Sequence, residues 1–250
     1  MHALAVHSLK GGVGKTAAAV NLGYLAAASG MRVLLWDLDP QAASTFYLRV
    51  RPGAGGARKI LRGKRDLEPL IRASDYERLH LLPARFSFRH ADVELSTQLE
   101  PGHRFRKLIA PLAEDYDLLL FDCAPGFTVL SESVLAACAH ALVPVIPTPL
   151  SLRALQIVCD HLGDKKQPTV QPFFSMVDRR KQMHRSITDT PDALAQLPLD
   201  TLIPYASQVE QMGSYRAPVH TFARRSPAAH AFANLWEEVS VLLSHTKPMR

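Results

Sequence analysis

Lys10-Gly11-Gly12-Val13-Gly14-Lys15-Thr16 follows directly on the apolar run Ala3-Leu4-Ala5-Val6. That order decides the fold: a buried-type strand, a tight glycine turn, then a helix rich in alanine (Ala17, Ala18, Ala19, Ala26, Ala27, Ala28). The turn carries the working end of the G-x-x-x-x-G-K-[ST] pattern in Gly12, Gly14, Lys15 and Thr16, but Leu9 stands where the pattern opens on glycine. The first glycines are displaced to Gly11 and Gly12, and a second lysine, Lys10, sits at the entrance. Glycines let backbone N–H groups converge on phosphate oxygens, Lys15 neutralises their charge, and the Thr16 hydroxyl suits Mg²⁺. The N-terminal end of the following helix adds partial positive charge to the same place. A glycine turn that only joined strand to helix would need neither the Lys-Thr pair nor this order.

Outward from the loop, strands and helices alternate. Apolar strands are expected at Ala3–His7, Arg32–Asp37, Leu79–Leu82, Tyr116–Cys123, Ala141–Pro147, Val170–Val177 and Leu199–Ile203. Helices are expected at Lys15–Ser29, Gln41–Leu48, Ala57–Leu61, Arg104–Ala113, Leu130–Ala139, Leu150–Leu162, Arg185–Leu197 and Pro227–Leu243. Short continuous apolar strands between amphipathic helices imply an α/β fold, a doubly wound, mostly parallel sheet with helices on both faces. Pro52-Gly53-Ala54-Gly55-Gly56 reads as a surface loop, since the next strand belongs to the same sheet, and residues 1–250 read as one domain. Gln182–Asp192 is polar and reads as loosely ordered.

Nearly half of the 250 residues are hydrophobic, enough for a large core. No apolar run approaches the ~18–20 residues of a membrane span. The start shows no signal pattern. Cys123, Cys138 and Cys159 have no metal-ligand spacing and read as reduced core or near-site thiols of a cytoplasmic protein. The net charge of +6 is clustered in Arg49, Arg51, Arg58, Lys59, Arg62, Lys64 and Arg65, in His103–Lys107, and in Arg179-Arg180-Lys181 with Arg185. Each cluster alone suits a solvated helix face, and together they raise the case for a polyanionic partner.

Two carboxylate loops fall at strand ends, where such sheets bind ligands. Val33-Leu34-Leu35-Trp36 runs into Asp37-Leu38-Asp39-Pro40-Gln41, and Leu118-Leu119-Leu120-Phe121 into Asp122-Cys123-Ala124-Pro125-Gly126. Acids there hold Mg²⁺, directly or through water, or orient an attacking water. An Asx turn or a helix cap is the alternative for each, most directly for Asp39 before Pro40.

On Lys10 to Thr16, Asp37 to Gln41 and Tyr116 to Gly126, the chain resembles the ParA/MinD family of deviant Walker ATPases. Val143-Pro144-Val145-Ile146-Pro147 with Leu150–Leu155, and Ile203-Pro204 leading to Ala217-Pro218-Val219, extend the resemblance to the closing helix. It implies that Gly11, Gly12, Val13, Gly14, Lys15, Thr16 and Ala17 cradle ATP or ADP, and that Thr16, Asp37 and Asp122 serve Mg²⁺. Lys10 matches the signature lysine that reaches the partner's phosphates in an ATP-bound homodimer. Asp39 matches the residue that positions water, Asp122 the Walker B acid, and Pro125 with Gly126 the γ-phosphate switch. Asp178 and the backbone near Pro204 and Tyr205 match the adenine site.

Three destinations follow. A ParA-like, nucleoid-associated positioning ATPase would bind DNA non-specifically and be stimulated by an adaptor or cargo protein. Tyr205-Ala206-Ser207-Gln208 is uncharged, so Arg179, Arg180, Lys181, Arg185, Arg216, Arg224 and Arg225 would carry the DNA. A MinD-like membrane switch ends in a basic amphipathic helix, which Lys247-Pro248-Met249-Arg250 does not offer. A metabolic or metal-cofactor ATPase on the same scaffold would want placed cysteines or a substrate insertion. His7 and Trp36 stand at strand positions where packing is their expected use.

Overall fold

The computed structural model describes residues 1–51, 67–84, 100–163, 168–191 and 194–249. The expected helix at 57–61 and the basic residues Arg58, Lys59, Arg62, Lys64 and Arg65 lie outside them.

Among the described residues an eight-stranded sheet runs β3-β4-β2-β5-β1-β6-β7-β8. Its strands are β1 (His2–Val6), β2 (Val33–Asp37), β3 (Arg72–Ala73), β4 (Leu79–Leu82), β5 (Leu118–Asp122), β6 (His140–Val145), β7 (Thr169–Val177) and β8 (Leu202–Pro204). All neighbours pair parallel except the edge pair β3–β4. β3 was not expected: two residues, Arg72 and Ala73, carry no periodic signal.

The described helices are α1 (Lys15–Ala28), α2 (Ala43–Tyr47), α3 (Pro101–Ile109), α4 (Val129–Ala137), α5 (Pro149–Leu162), α6 (Gln182–Thr188), the short α7 (Ser207–Glu210), α8 (Met212–Tyr215) and α9 (Val219–Phe222), and α10 (Pro227–Ser244). Alternate strand residues feed two cores. Ala3, Ala5, Leu34, Trp36, Leu119 and Phe121 pack with α3, α4 and α5. Leu4, Val6, Val33, Leu35, Leu118 and Leu120 pack with α1 and α10. Burial on both faces is why these strands are apolar at every position and not at every second one. Trp36 is fully buried, its ring 5.6 Å from Phe105 and 5.7 Å from Phe121, as packing required.

Three expected elements move, and the first is the helix expected at Arg104–Ala113, which is Pro101–Ile109. The helix expected at Arg185–Leu197 is Gln182–Thr188, so part of the segment read as loosely ordered is helical. His184 anchors it: the ring is buried, and Nδ1 accepts the Asp178 N–H at 3.1 Å. The last strand begins at Leu202 instead of Leu199. The N–H groups of Asp200 and Thr201 go to the Glu238 carboxylate, at 2.7 and 2.9 Å, and are lost to the sheet.

On α10, Phe232, Leu235, Trp236 and Val239 face the core. No helix among the described residues is long and apolar enough to cross a membrane.

Candidate active site

β1 lies between β5 and β6, so the chain order reverses there and the loops after β1, β2 and β5 meet at one sheet edge. Register does the rest. Val6 pairs with Asp122, and Asp37 pairs with Asp122, which sets two carboxylates side by side at the carboxyl ends of adjacent strands.

The loop is shaped to receive an anion. Gly12 and Gly14 have φ of +71° and +95°, the left-handed region that side chains disfavour. A Cβ added at Gly11 or Gly12 would meet nothing within 4 Å, so space lies open over the loop. Gly14 caps the start of α1 without a side chain, and the first turn of that helix carries no acid. Its first N–H groups therefore remain available, at the positive end of the helix dipole.

Lys15 is buried, and its Nζ donates to the Lys10 carbonyl at 2.9 Å. Burial depresses its pKa, while Asp122 and Asp39 oppose that shift. Lys10 is half-buried, and among the described residues no hydrogen bond or ion pair engages its ammonium.

Asp37 and Asp122 are both fully buried. Burial raises both carboxyl pKa values, and the charge of Asp122 pushes Asp37 further. Three donors hold Asp37: Thr45 N–H at 2.8 Å, Thr45 O–H at 2.7 Å and Asp39 N–H at 3.2 Å. Asp122 Oδ2 accepts the Ser44 hydroxyl at 2.7 Å. Its Oδ1 is buried with no hydrogen-bond partner, and the nearby Thr16 hydroxyl favours the charged form of the group. An unpartnered buried carboxylate oxygen beside a threonine hydroxyl and a second acid suits an oxygen-loving cation such as Mg²⁺.

Asp39 is half-buried, and its Oδ1 accepts the Gln41 N–H at 2.9 Å. It therefore makes the Asx turn, and it also lies close enough to act on the charge of Lys15 and Asp122. Gly126, at φ +93°, donates its N–H to the Ser8 carbonyl at 3.1 Å, tying the loop after β5 to the phosphate loop.

Beside the loop an open pocket is lined by Gly14, Ala17, Ser175, Met176, Pro204 and Tyr205, among others. Met176 adopts φ +55° where the β7–β8 register shifts, a bulge that turns the strand end at the pocket. Gly14, Ala17 and Pro204 are thus together. Asp178 is not among the lining residues; Arg180 binds both its oxygens, at 2.9 and 3.0 Å.

Of the expected DNA-facing residues, Arg179, Arg180, Lys181, Arg185, Arg224 and Arg225 are exposed. Arg180 is committed to Asp178, and Arg216 donates to the Phe46 carbonyl at 3.0 Å with its guanidinium over that ring. Cys123 and Cys138 are buried free thiols whose pKa values burial raises, which keeps them protonated. His7 is buried against Phe127, its pKa lowered to about 4 by burial, then by Lys15 and His161. Ser44 and Thr45 escaped the sequence reading; two hydroxyls five and six residues past Asp39 were the available signal.

Gly14→Ala tests the loop. The new Cβ would sit 2.7 Å from Ser175 Oγ, at a φ that alanine adopts only with strain. Strain of about 1–3 kcal/mol predicts roughly ten- to hundredfold weaker binding of a fluorescent ATP analogue. Ser175→Ala on that background removes the clash but not the backbone cost, so partial recovery is expected.

The family described as "AAA domain" matches residues 1–171, a span that takes in the loop and Asp37, Asp39 and Asp122. The chromosome-partitioning ATPase Soj of Thermus thermophilus is 32% identical over 246 residues, covering 94% of this chain and 94% of its own. Cobyrinic acid a,c-diamide synthase of Mycobacterium smegmatis, solved with ADP and magnesium, superposes with a TM-score of 0.82 at 24% identity, covering 100% of this chain and 98% of that one. The septum site-determining protein MinD of Pyrococcus horikoshii, complexed with Mg-ADP, gives 0.79 at 23% identity, covering 97% of each chain. At such identities the two structures speak to the fold, and the Soj relative and the matched domain speak to descent. On that ground the chain belongs to the ParA/MinD family of P-loop ATPases.

Proposed function

We propose that the protein is a ParA-like dimer switch: bound to ATP and Mg²⁺ it dimerises and binds DNA non-specifically, positioning or segregating a cargo, and slow hydrolysis resets it. The observation that carries this reading is Lys10, whose ammonium is uncommitted at the mouth of a loop already served by Lys15. A second lysine with no work in its own site suits the phosphates of a facing protomer. Similarity along nearly the full length to a chromosome-partitioning ATPase supports the destination.

Phosphoryl transfer asks mainly for positioning and charge neutralisation. The N–H groups of the glycine loop and of the start of α1 hold phosphate oxygens, Lys15 neutralises them from below, and the partner's Lys10 completes the clamp. Thr16, Asp37 and Asp122 would hold Mg²⁺, which when bound offsets phosphate charge. Asp39 orients the water, and the pocket lined by Ser175, Met176, Pro204 and Tyr205 takes the base. Hydrolysis is tied to association because one protomer lacks the complete set of charges. An adaptor or cargo protein is the expected stimulator, and the residence is the cytoplasm, on the nucleoid.

Arg179, Lys181, Arg185, Arg224 and Arg225 supply the exposed positive charge for DNA. The test is sedimentation with plain duplex DNA and, separately, with anionic liposomes, under ATP, ADP or neither. DNA binding is expected with ATP alone, and for six or more phosphate contacts per dimer it should weaken by about 10³-fold between 50 and 200 mM salt. Pelleting with liposomes and not with DNA would replace this reading with a MinD-like one.

A further inference from the structure

α2 sits against both buried acids, and its Ser44 and Thr45 divide them. Thr45 is fully employed: its N–H and O–H donate to Asp37, and its Oγ1 accepts the Ala84 N–H at 2.9 Å, joining β2 to the end of β4. Ser44 is fully buried, and its side chain makes a single described hydrogen bond, to Asp122 Oδ2. Nothing else in the described packing asks for a hydroxyl there. The other oxygen of that carboxylate, Oδ1, is buried without a hydrogen-bond partner.

We propose that Ser44 is a positioning residue for the divalent cation: its hydroxyl holds one oxygen of the Asp122 carboxylate so that the other stays available to the metal. The proposal rests on the Mg²⁺-nucleotide reading above. A carboxylate held at one oxygen has a fixed plane. Released from Ser44, Asp122 would lose its one described side-chain hydrogen bond, and the group would turn toward another donor, the nearby Thr16 hydroxyl among them. Hydrogen bonds that orient metal ligands in this way are worth roughly 10- to 100-fold in metal affinity. The placement of α2 follows from Asp39. Its carbonyl accepts the Ala42 N–H at 2.9 Å, and Ala42 then turns left-handed, at φ +57°, to start the helix. The motif residue that faces the reacting water therefore also aims Ser44.

The test separates cation from nucleotide. Binding of a fluorescent ATP analogue is titrated with Mg²⁺ and, in parallel, measured in excess EDTA. Ser44→Ala is expected to raise the Mg²⁺ concentration for half-maximal enhancement about tenfold, leaving affinity in EDTA near wild type. Ser44→Thr, which keeps the hydroxyl, should restore the wild-type Mg²⁺ response. Ser44→Cys keeps the volume with a weaker donor and should give a smaller shift in the same direction, which covers the case of an unstable alanine variant. An unchanged Mg²⁺ response in both Ser44→Ala and Ser44→Cys overturns the proposal, as does an equal loss with and without Mg²⁺. Wild-type binding indifferent to Mg²⁺ would instead overturn the reading beneath it.

Discussion

Lys10→Ala is expected to bind ATP as the wild type does, yet neither to dimerise nor to hydrolyse it. The structure separates these functions within one residue. Lys15 Nζ is held by the carbonyl of Lys10, at 2.9 Å, and that contact belongs to the backbone, so truncating the side chain leaves it in place. What disappears is the uncommitted ammonium at the loop mouth. A charge supplied across an interface to complete a phosphoryl-transfer clamp is worth about 10³–10⁵ in rate. Phosphate release should therefore fall by three orders of magnitude or to background. Sedimentation velocity with ATP should show a monomer where the wild type shows a dimer. A Lys10→Ala monomer that hydrolysed ATP at the normal rate would end the in-trans assignment.

Asp39→Ala should fail at the opposite end of the cycle: it loads ATP, dimerises and stays there. Positioning or proton-accepting groups contribute about 10²–10⁴ to such steps, so hydrolysis should drop at least a hundredfold while the ATP dimer accumulates, still bound to DNA. The residue also makes a turn, accepting the Gln41 N–H at 2.9 Å, so lost rate alone would be ambiguous. Asp39→Asn resolves this, because its amide oxygen still accepts that N–H while the carboxylate charge is gone. If Asn restores activity lost in Ala, the turn is what matters and the assignment to water falls. If both are inactive and dimeric with ATP, the carboxylate acts on the reaction.

The layered sheet was legible because its central strands hold runs of consecutive apolar residues, and the candidate site was legible because acids followed directly on two of those runs. Lys10, Lys15, Thr16, Asp37 and Asp122 converge through short local patterns. What escaped depends on partners distant in sequence. Glu238 removes Asp200 and Thr201 from the last strand across a gap that no local propensity registers. Ser44 meets Asp122 from a separation of 78 residues, and a serine inside a short helix announces nothing by itself. The bulge at Met176 hides for another reason: a positive φ is expected of glycine, and methionine gives no warning. Asp178 is the reverse case, since Arg180, two residues on and visible in the sequence, was available to claim it.

The central place of β1 also sets the order in which the protein comes into being. The strand that carries the phosphate loop is the first made, yet its partners are β5 and β6, at residues 118–122 and 140–145. On a ribosome adding ~5–20 residues per second, β1 waits roughly 6–25 seconds for its first neighbour. During that time Leu4, Ala5 and Val6, later among the most buried residues of the molecule, have no neighbouring strand to pair with. Contacts so far apart in sequence also make for slow folding once the chain is free. The central strand is thus paired late, and a nascent chain cut off before residue 118 would have the glycine loop but not Asp122 or the strand that carries it.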